Sequence, residues 1–228
     1  DLVKNLLFSQ ADEGDFQAIK AHWKALGEHL KTAKEDEKPL RFLRYFLTAR
    51  YHHGVLREDD VYKWVISAEG RRALNYANEP VALAQALELA AKRYAELVVA
   101  TGLAKDGGAY PAVTRIGYIN KHPSRLHLVL LLALHEDAPP AAISYLAEQI
   151  ESFFFFSNAL NIQTKYHEPL FSQWAQALRG LREVDAIAAV LAKTMLPNLQ
   201  AKLGDFRQRF AQLRHTDWGP LYRQRFVL

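Results

Sequence analysis

Along most of this chain, apolar side chains recur every three or four positions, which is the spacing of one face of an α-helix. In DFQAIKAHWKALGEHLKTA, Phe16, Ile19, Trp23, Leu26 and Leu30 fall on one stripe, and Asp15 is suited to cap the start. A charged loop, KEDEKP, delivers Pro39 to the first turn of RFLRYFLTARYHHG, with Gly54 as the stop. Glu58, Asp59 and Asp60 suit the positive end of the next helix, ahead of Val61, Trp64 and Val65. From Pro80 to Gly102, Pro opens a run of alanine and leucine and Gly follows its end, so a long helix is predicted there. After the KDGGAYP loop, HPSRLHLVLLLALH is apolar nearly all round, which predicts a helix enclosed by others. Pro139 and Pro140 open AAISYLAEQIESFFFFSNAL, and further helices are predicted around Leu170 to Leu181, Asp185 to Leu196 and Asn198 to Arg214. No alternating strand pattern of useful length interrupts them.

These segments predict an all-α protein, a multi-helix globular bundle of about nine to eleven helices around the buried Leu126 to Leu134 helix. The chain has 228 residues and half of them are apolar, enough for one large core. Residues 1–228 are read as a single helical domain, either compact or split into lobes 1–104 and 111–228 joined by a loop at 105–110. The longest apolar run, Leu126 to Leu134, is interrupted by His127 and is well short of the ~20 residues a membrane-spanning helix needs. There is no cysteine, which excludes disulfides, thiolate metal sites and a Cys nucleophile, and the cytoplasm is the default location. A start at Asp1, with no initiator Met and no targeting signature, reads as a piece of a longer protein.

Charge adds a direction. The net charge is +4, and its excess lies after Ala201, where Lys202, Arg207, Arg209, Arg214, Arg223 and Arg225 face only Asp205 and Asp217. A second basic surface comes from a helical projection of Leu40 to His52. Leu40, Phe42, Leu43, Phe46 and Leu47 fall on one side, with Arg41, Arg44, Tyr45, Thr48, Tyr51 and His52 opposite and no acid among them. Arginine forks and tyrosines on one helix face suit a phosphate backbone. The four phenylalanines Phe153 to Phe156 cover almost the whole circumference of a helix, so they call for core around them or a docking partner.

Catalytic signatures are absent. There is no HExxH, no phosphate-cradling GxxxxGK[ST] loop, no GxSxG elbow and no strand-bound GxGxxG. His52 and His53 are adjacent and point different ways on a helix, and NKHPSRLH has the letters of an HNH nuclease without its hairpin. The acids near Glu58 and Glu136 sit at helix ends. No catalytic residue, metal ligand or cofactor is therefore assigned.

Seven stretches occur together in one order: DLVKNLLF at Asp1 to Phe8, FLRYFLTARY at Phe42 to Tyr51, VYKWV at Val61 to Val65, LHLVLLLAL at Leu126 to Leu134, IESFFFFSNALN at Ile150 to Asn161, TKYHEPLF at Thr164 to Phe171 and the final RQRFVL. With these the chain resembles the helical middle of a bacterial family. Its members carry an N-terminal ParB/sulfiredoxin-like domain with a DGQQR-type motif and often a C-terminal HNH nuclease domain. The family resembles restriction endonucleases that cut glucosylated or otherwise modified phage DNA. The DGQQR motif and the HNH histidine are both missing here, so no catalytic role passes to any residue of this chain.

The resemblance implies a non-catalytic scaffold or DNA-contacting module of a phage-defence protein, linking an N-terminal nucleotide-binding domain to a C-terminal nuclease domain. Arg41, Arg44, Tyr45 and Tyr51 are the first candidates to contact double-stranded DNA backbone, and Arg207, Arg209, Arg214, Arg223 and Arg225 the second. The alternative is a protein-protein interaction or oligomerisation module. In it, Phe153, Phe154, Phe155 and Phe156 dock flanking domains or a second copy, and nucleic acid plays no part.

Overall fold

The computed structural model describes residues 2–33, 39–99, 119 and 125–213, and among them it contains eleven α-helices, two 3-10 turns and no strand. The amino-terminal arm is α1 (Leu2–Gln10) followed by α2 (Glu13–Thr32). The cap of α2 is Asp12 rather than the expected Asp15: its carboxylate accepts the Asp15 N–H at 2.9 Å from extended backbone. Asp15 already lies in the first turn, where its charge faces the positive helix end. Helix α2 packs along α6 (Pro80–Val99), burying Ile19, Leu26 and Leu30, with His22 Nδ1 and the Glu88 carboxylate 2.6 Å apart between them. Phe16 departs from the expected stripe, since it is exposed, and Trp23 is only half-buried.

Between these two long helices the chain makes α3 (Pro39–Arg50), a 3-10 turn at Glu58–Asp60, α4 (Val61–Ile66) and α5 (Ala68–Leu74). Ser67 caps α5 by accepting the Gly70 N–H at 3.1 Å. A Cβ at Gly70 would stand 2.0 Å from the Trp64 carbonyl oxygen, so only glycine lets α4 and α5 meet this tightly.

Helix α7 (His127–Ala133) is buried at every residue, as its unbroken apolar sequence predicts. It packs against α3, α6, α8 (Pro140–Ala159) and α9 (Glu168–Leu178). Beside it lies an aromatic hub. Phe153 meets Trp174 edge-on at 5.0 Å, Phe154 stacks on Phe171 at 5.6 Å, and the buried His167 ring is 5.1 Å from Phe153.

Backbone groups that the helix ends leave over are met by long polar side chains. Arg93 donates to the carbonyls of His135 at 2.8 Å and Glu136 at 2.7 Å, just past α7. Arg179, just past α9, donates to the carbonyl of Ala49 at 2.9 Å, that of Thr48 at 3.2 Å and that of His52, closing the end of α3. The Ser172 hydroxyl donates to the Gly54 carbonyl in the same place. Two backbone bonds, Gly180 N–H to Ala133 O at 3.0 Å and His135 N–H to Leu181 O at 2.9 Å, tie the end of α7 to the turn after α9.

The last two described helices are α10 (Val184–Gln200) and α11 (Leu203–Gln212). A break was expected between Leu196 and Asn198, yet α10 runs through Pro197 and ends at Gln200. So near the C-terminus, proline forfeits one internal hydrogen bond, and the bend falls instead at Ala201 and Lys202. The proposed lobe junction at 105–110 lies outside the described residues, as do His122 to Ser124 at the start of the HPSRLHLVLLLALH stretch and the residues Arg214, Arg223 and Arg225. Among the described residues, no helix is long and apolar enough to cross a membrane.

Candidate nucleic-acid interface

The basic face expected on α3 is largely absorbed into packing. Tyr45 is 6% exposed with its ring 6.4 Å from that of Tyr94, and Thr48 is buried with its hydroxyl donating to the Arg44 carbonyl at 2.9 Å. Tyr51 is half-buried, edge-on to Phe46 at 5.5 Å. Burial is the largest influence on both phenols and raises their pKa above the ordinary value, outweighing the lowering by Arg44 and Arg41 at Tyr45 and by Arg50 at Tyr51. Arg44 bridges to α9 through the Glu168 carboxylate at 3.0 Å and lies over the Tyr45 ring at 5.5 Å, while Arg41 is half-buried. The physical reason is that α3 packs against α6, α7 and α9 together. With three helices around it, its tyrosine rings and arginine stems are drawn into packing. Leu40, expected on the buried side, is exposed instead.

A hollow of about 370 Å³ next to α3 is balanced in charge: Arg50, Lys92 and Arg93 face Glu96, Glu136 and Asp137. Arg50 pairs with Glu136 at 3.2 Å. Burial, the main influence, lowers the Arg50 pKa. At Glu136 burial pulls upward, but its own backbone amide, Arg50 and His135 together leave the carboxyl below its ordinary range. With Arg93 already committed to carbonyls, this hollow offers no net positive field to a phosphate.

The phenylalanine quartet divides in two. Phe153 and Phe154 are buried in the hub, so they are core and not docking residues. Phe155 and Phe156 are half-buried under α11: Phe156 stacks on Phe206 at 4.4 Å and Phe155 meets Phe210 at 5.8 Å. Arg207 and Arg209 are exposed on α11 and, being two positions apart, point about 200° from one another. They do not form one phosphate-tracking row. His52, next in the α3 sequence, has Nδ1 3.2 Å from the Gly54 carbonyl and its ring edge-on to Trp64 at 5.3 Å.

A different surface brings cations and aromatic rings together. The turn at Ala11 and Asp12 folds α1 beside α2, which brings Lys4 and Phe8 of α1 against the Phe16, Lys20 and Lys24 row of α2. Those α2 residues are four apart, so they share a face, and Trp23 joins them. The resulting hollow measures about 450 Å³ and no acid lines it. Phe8 and Phe16 rings are 4.7 Å apart, and the Lys4 ammonium stands 5.9 Å from the Phe8 ring centre. Lys24 also reaches Glu28 at 3.9 Å, outside the hollow. This surface was missed in the sequence because Phe16 and Trp23 were read as core. The signal was present in the Phe16, Lys20, Lys24 spacing, which places two cations directly in line with the aromatic stripe.

Compared with protein-family models, curated proteins and solved structures, the chain matches none.

Proposed function

We propose that this chain is a non-catalytic helical scaffold of a cytoplasmic, restriction-type phage-defence protein, and that it contacts nucleic acid through the α1–α2 hollow. The restriction-type setting rests on the sequence resemblance. The nucleic-acid contact rests on one observation: three lysines surround three aromatic rings with no acid among the lining residues. Phosphates suit the lysines, and bases suit the exposed ring face of Phe16. Because stacking needs unpaired bases, single strands are the better substrate than the duplex, and little sequence preference is expected.

Fluorescence anisotropy with a labelled single strand and the matching duplex tests this at low and moderate salt. Three phosphate contacts to a single strand correspond to a log–log salt slope of about −2. Charge reversal by Lys20→Glu with Lys24→Glu is expected to weaken binding by at least about tenfold. Binding that survives the reversal unchanged would reject this surface.

A second reading is favoured by a separate feature. An apolar groove of about 470 Å³ runs between α1, α2, α3 and α4, with Leu2, Leu40 and Tyr62 exposed and Glu58 and Asp59 among its lining. It supports a protein-docking module with no nucleic-acid affinity. Absence of binding at low salt together with a concentration-dependent dimer in gel filtration would favour this reading over the first.

A further inference from the structure

The groove of about 470 Å³ between α1, α2, α3 and α4 is apolar from floor to rim. Its floor is core, with Val3, Leu26, Phe42 and Val61 all buried. Its rim is open to water: Leu2 is 58% exposed, Leu40 43% and Tyr62 38%, and Trp23 and Leu43 are half-buried beside them. Leu40 and Leu43, three positions apart on α3, share one face of that helix. Apolar side chains scattered singly over a surface need no account, but gathered around one hollow they mark a place of contact.

Charge narrows what can make that contact. Glu58 and Asp59 are the charged residues of the lining, and among the described residues no cation lines the groove. Asp60, next to them, is 3.5 Å from Lys63, whereas the Glu58 and Asp59 carboxylates make no ion pair and accept no hydrogen bond among the described residues. A second copy of the chain fits poorly here. In a two-fold dimer the groove would meet itself and bring both pairs of carboxylates to one interface, with no cation to answer them. Phosphates of nucleic acid or of an anionic lipid surface meet the same repulsion. A cationic protein partner is what complements this surface. The walls are helices, and the described residues offer no strand edge for an extended peptide to join, so the groove is suited to the apolar stripe of another helix.

We infer that this groove binds a basic amphipathic helix of a partner protein. The apolar stripe of that helix fills the space between Trp23, Leu40 and Tyr62, and lysine or arginine at its edge meets Glu58 and Asp59. The inference rests on the docking reading of this groove. It stands or falls apart from nucleic-acid binding, since the groove and the α1–α2 hollow have only Trp23 in common.

Amide-resolved NMR on the 228-residue chain tests the inference. The probe is a synthetic helix of about four turns with leucine on one face and lysine on the other, and its twin carries glutamate in place of lysine. Saturable shifts are expected at Leu26, Leu40, Leu43 and Tyr62, with the lysine helix at least about tenfold the tighter. Glu58→Lys with Asp59→Lys is expected to reverse that preference. Leu40→Ser, an exposed change, is expected to weaken both helices about threefold or more, which a contact made by charge alone would not show. Equal affinity for the two helices, or binding that Leu40→Ser leaves unaltered, would overturn the inference. Groove shifts that grow with protein concentration in the absence of any probe would overturn it as well, but would keep the docking reading, with a second copy as the occupant. A chain that stays monomeric and shows no groove shifts with either helix at millimolar probe would remove both.

Discussion

Helices α7 and α11 are seven and ten residues long, and they meet the rest of the protein in opposite ways. Every residue of α7 is buried and it touches four other helices; no residue of α11 is buried, and it rests on α8 through Phe206 and Phe210. The first has no polar face to offer water, and the second carries Lys202, Asp205, Arg207 and Arg209 at and along it. Helix α7 thus organises the fold, whereas α11 can be altered or moved at small cost to the remainder. In this chain the charged side chains nearest α7 serve as internal ties, and those with free surroundings sit on the peripheral helices.

The sharpest break of this contrast would be Leu131→Ala. Leu131 is fully buried, and the loss is expected to be about 2–5 kcal/mol, measured by urea unfolding. A loss no larger than that from an α11 substitution would refute the hierarchy. Next is Arg179→Ala, which leaves the carbonyls of Thr48, Ala49 and His52 without their donor and is expected to cost about 1–3 kcal/mol.

On the other side of the comparison, Phe206→Ala removes the stack on Phe156 and the edge contact with Phe155 that join α11 to α8, and the stack on Phe210 within α11; the Phe156 stack is worth about 0.5–1.5 kcal/mol. Its effect is expected to stay local: amide exchange should speed up in α11 and remain unchanged in α7. The smallest effect concerns Glu136, which follows α7. Its carboxyl titrates below the ordinary value of 4.5, so the stability it adds is present above that pH and disappears as the pH falls through the lowered pKa. The carboxylate is half exposed, so Glu136→Gln should cost only about a few tenths of a kcal/mol near neutrality and nothing in acid, read from paired unfolding curves.

The sequence carried the helices better than their surroundings. Helix α6 was legible because Pro80 and the alanine-rich run specify it locally, and α7 because no polar residue from Leu128 to Leu134 allows an exposed face. The burial of α3 was not legible, since it depends on Glu168 of α9 and on Arg179 just past it, both more than a hundred residues away. The same holds for the candidate site: the α1–α2 hollow needs two helices folded side by side, which periodicity does not specify.

The grip of Arg179 on the end of α3 also bears on the order in which the protein can be assembled. Its hydrogen bonds span 127 to 131 residues of chain, so a ribosome finishes α3 long before the residue that closes it has been made. The expected consequence is that nascent chains stopped before Arg179 keep the Thr48 to His52 segment open to hydrogen exchange, while chains released after it protect that segment. Translation therefore ends the first half of the molecule in an unsealed state, and it is the second half, on emerging, that locks it.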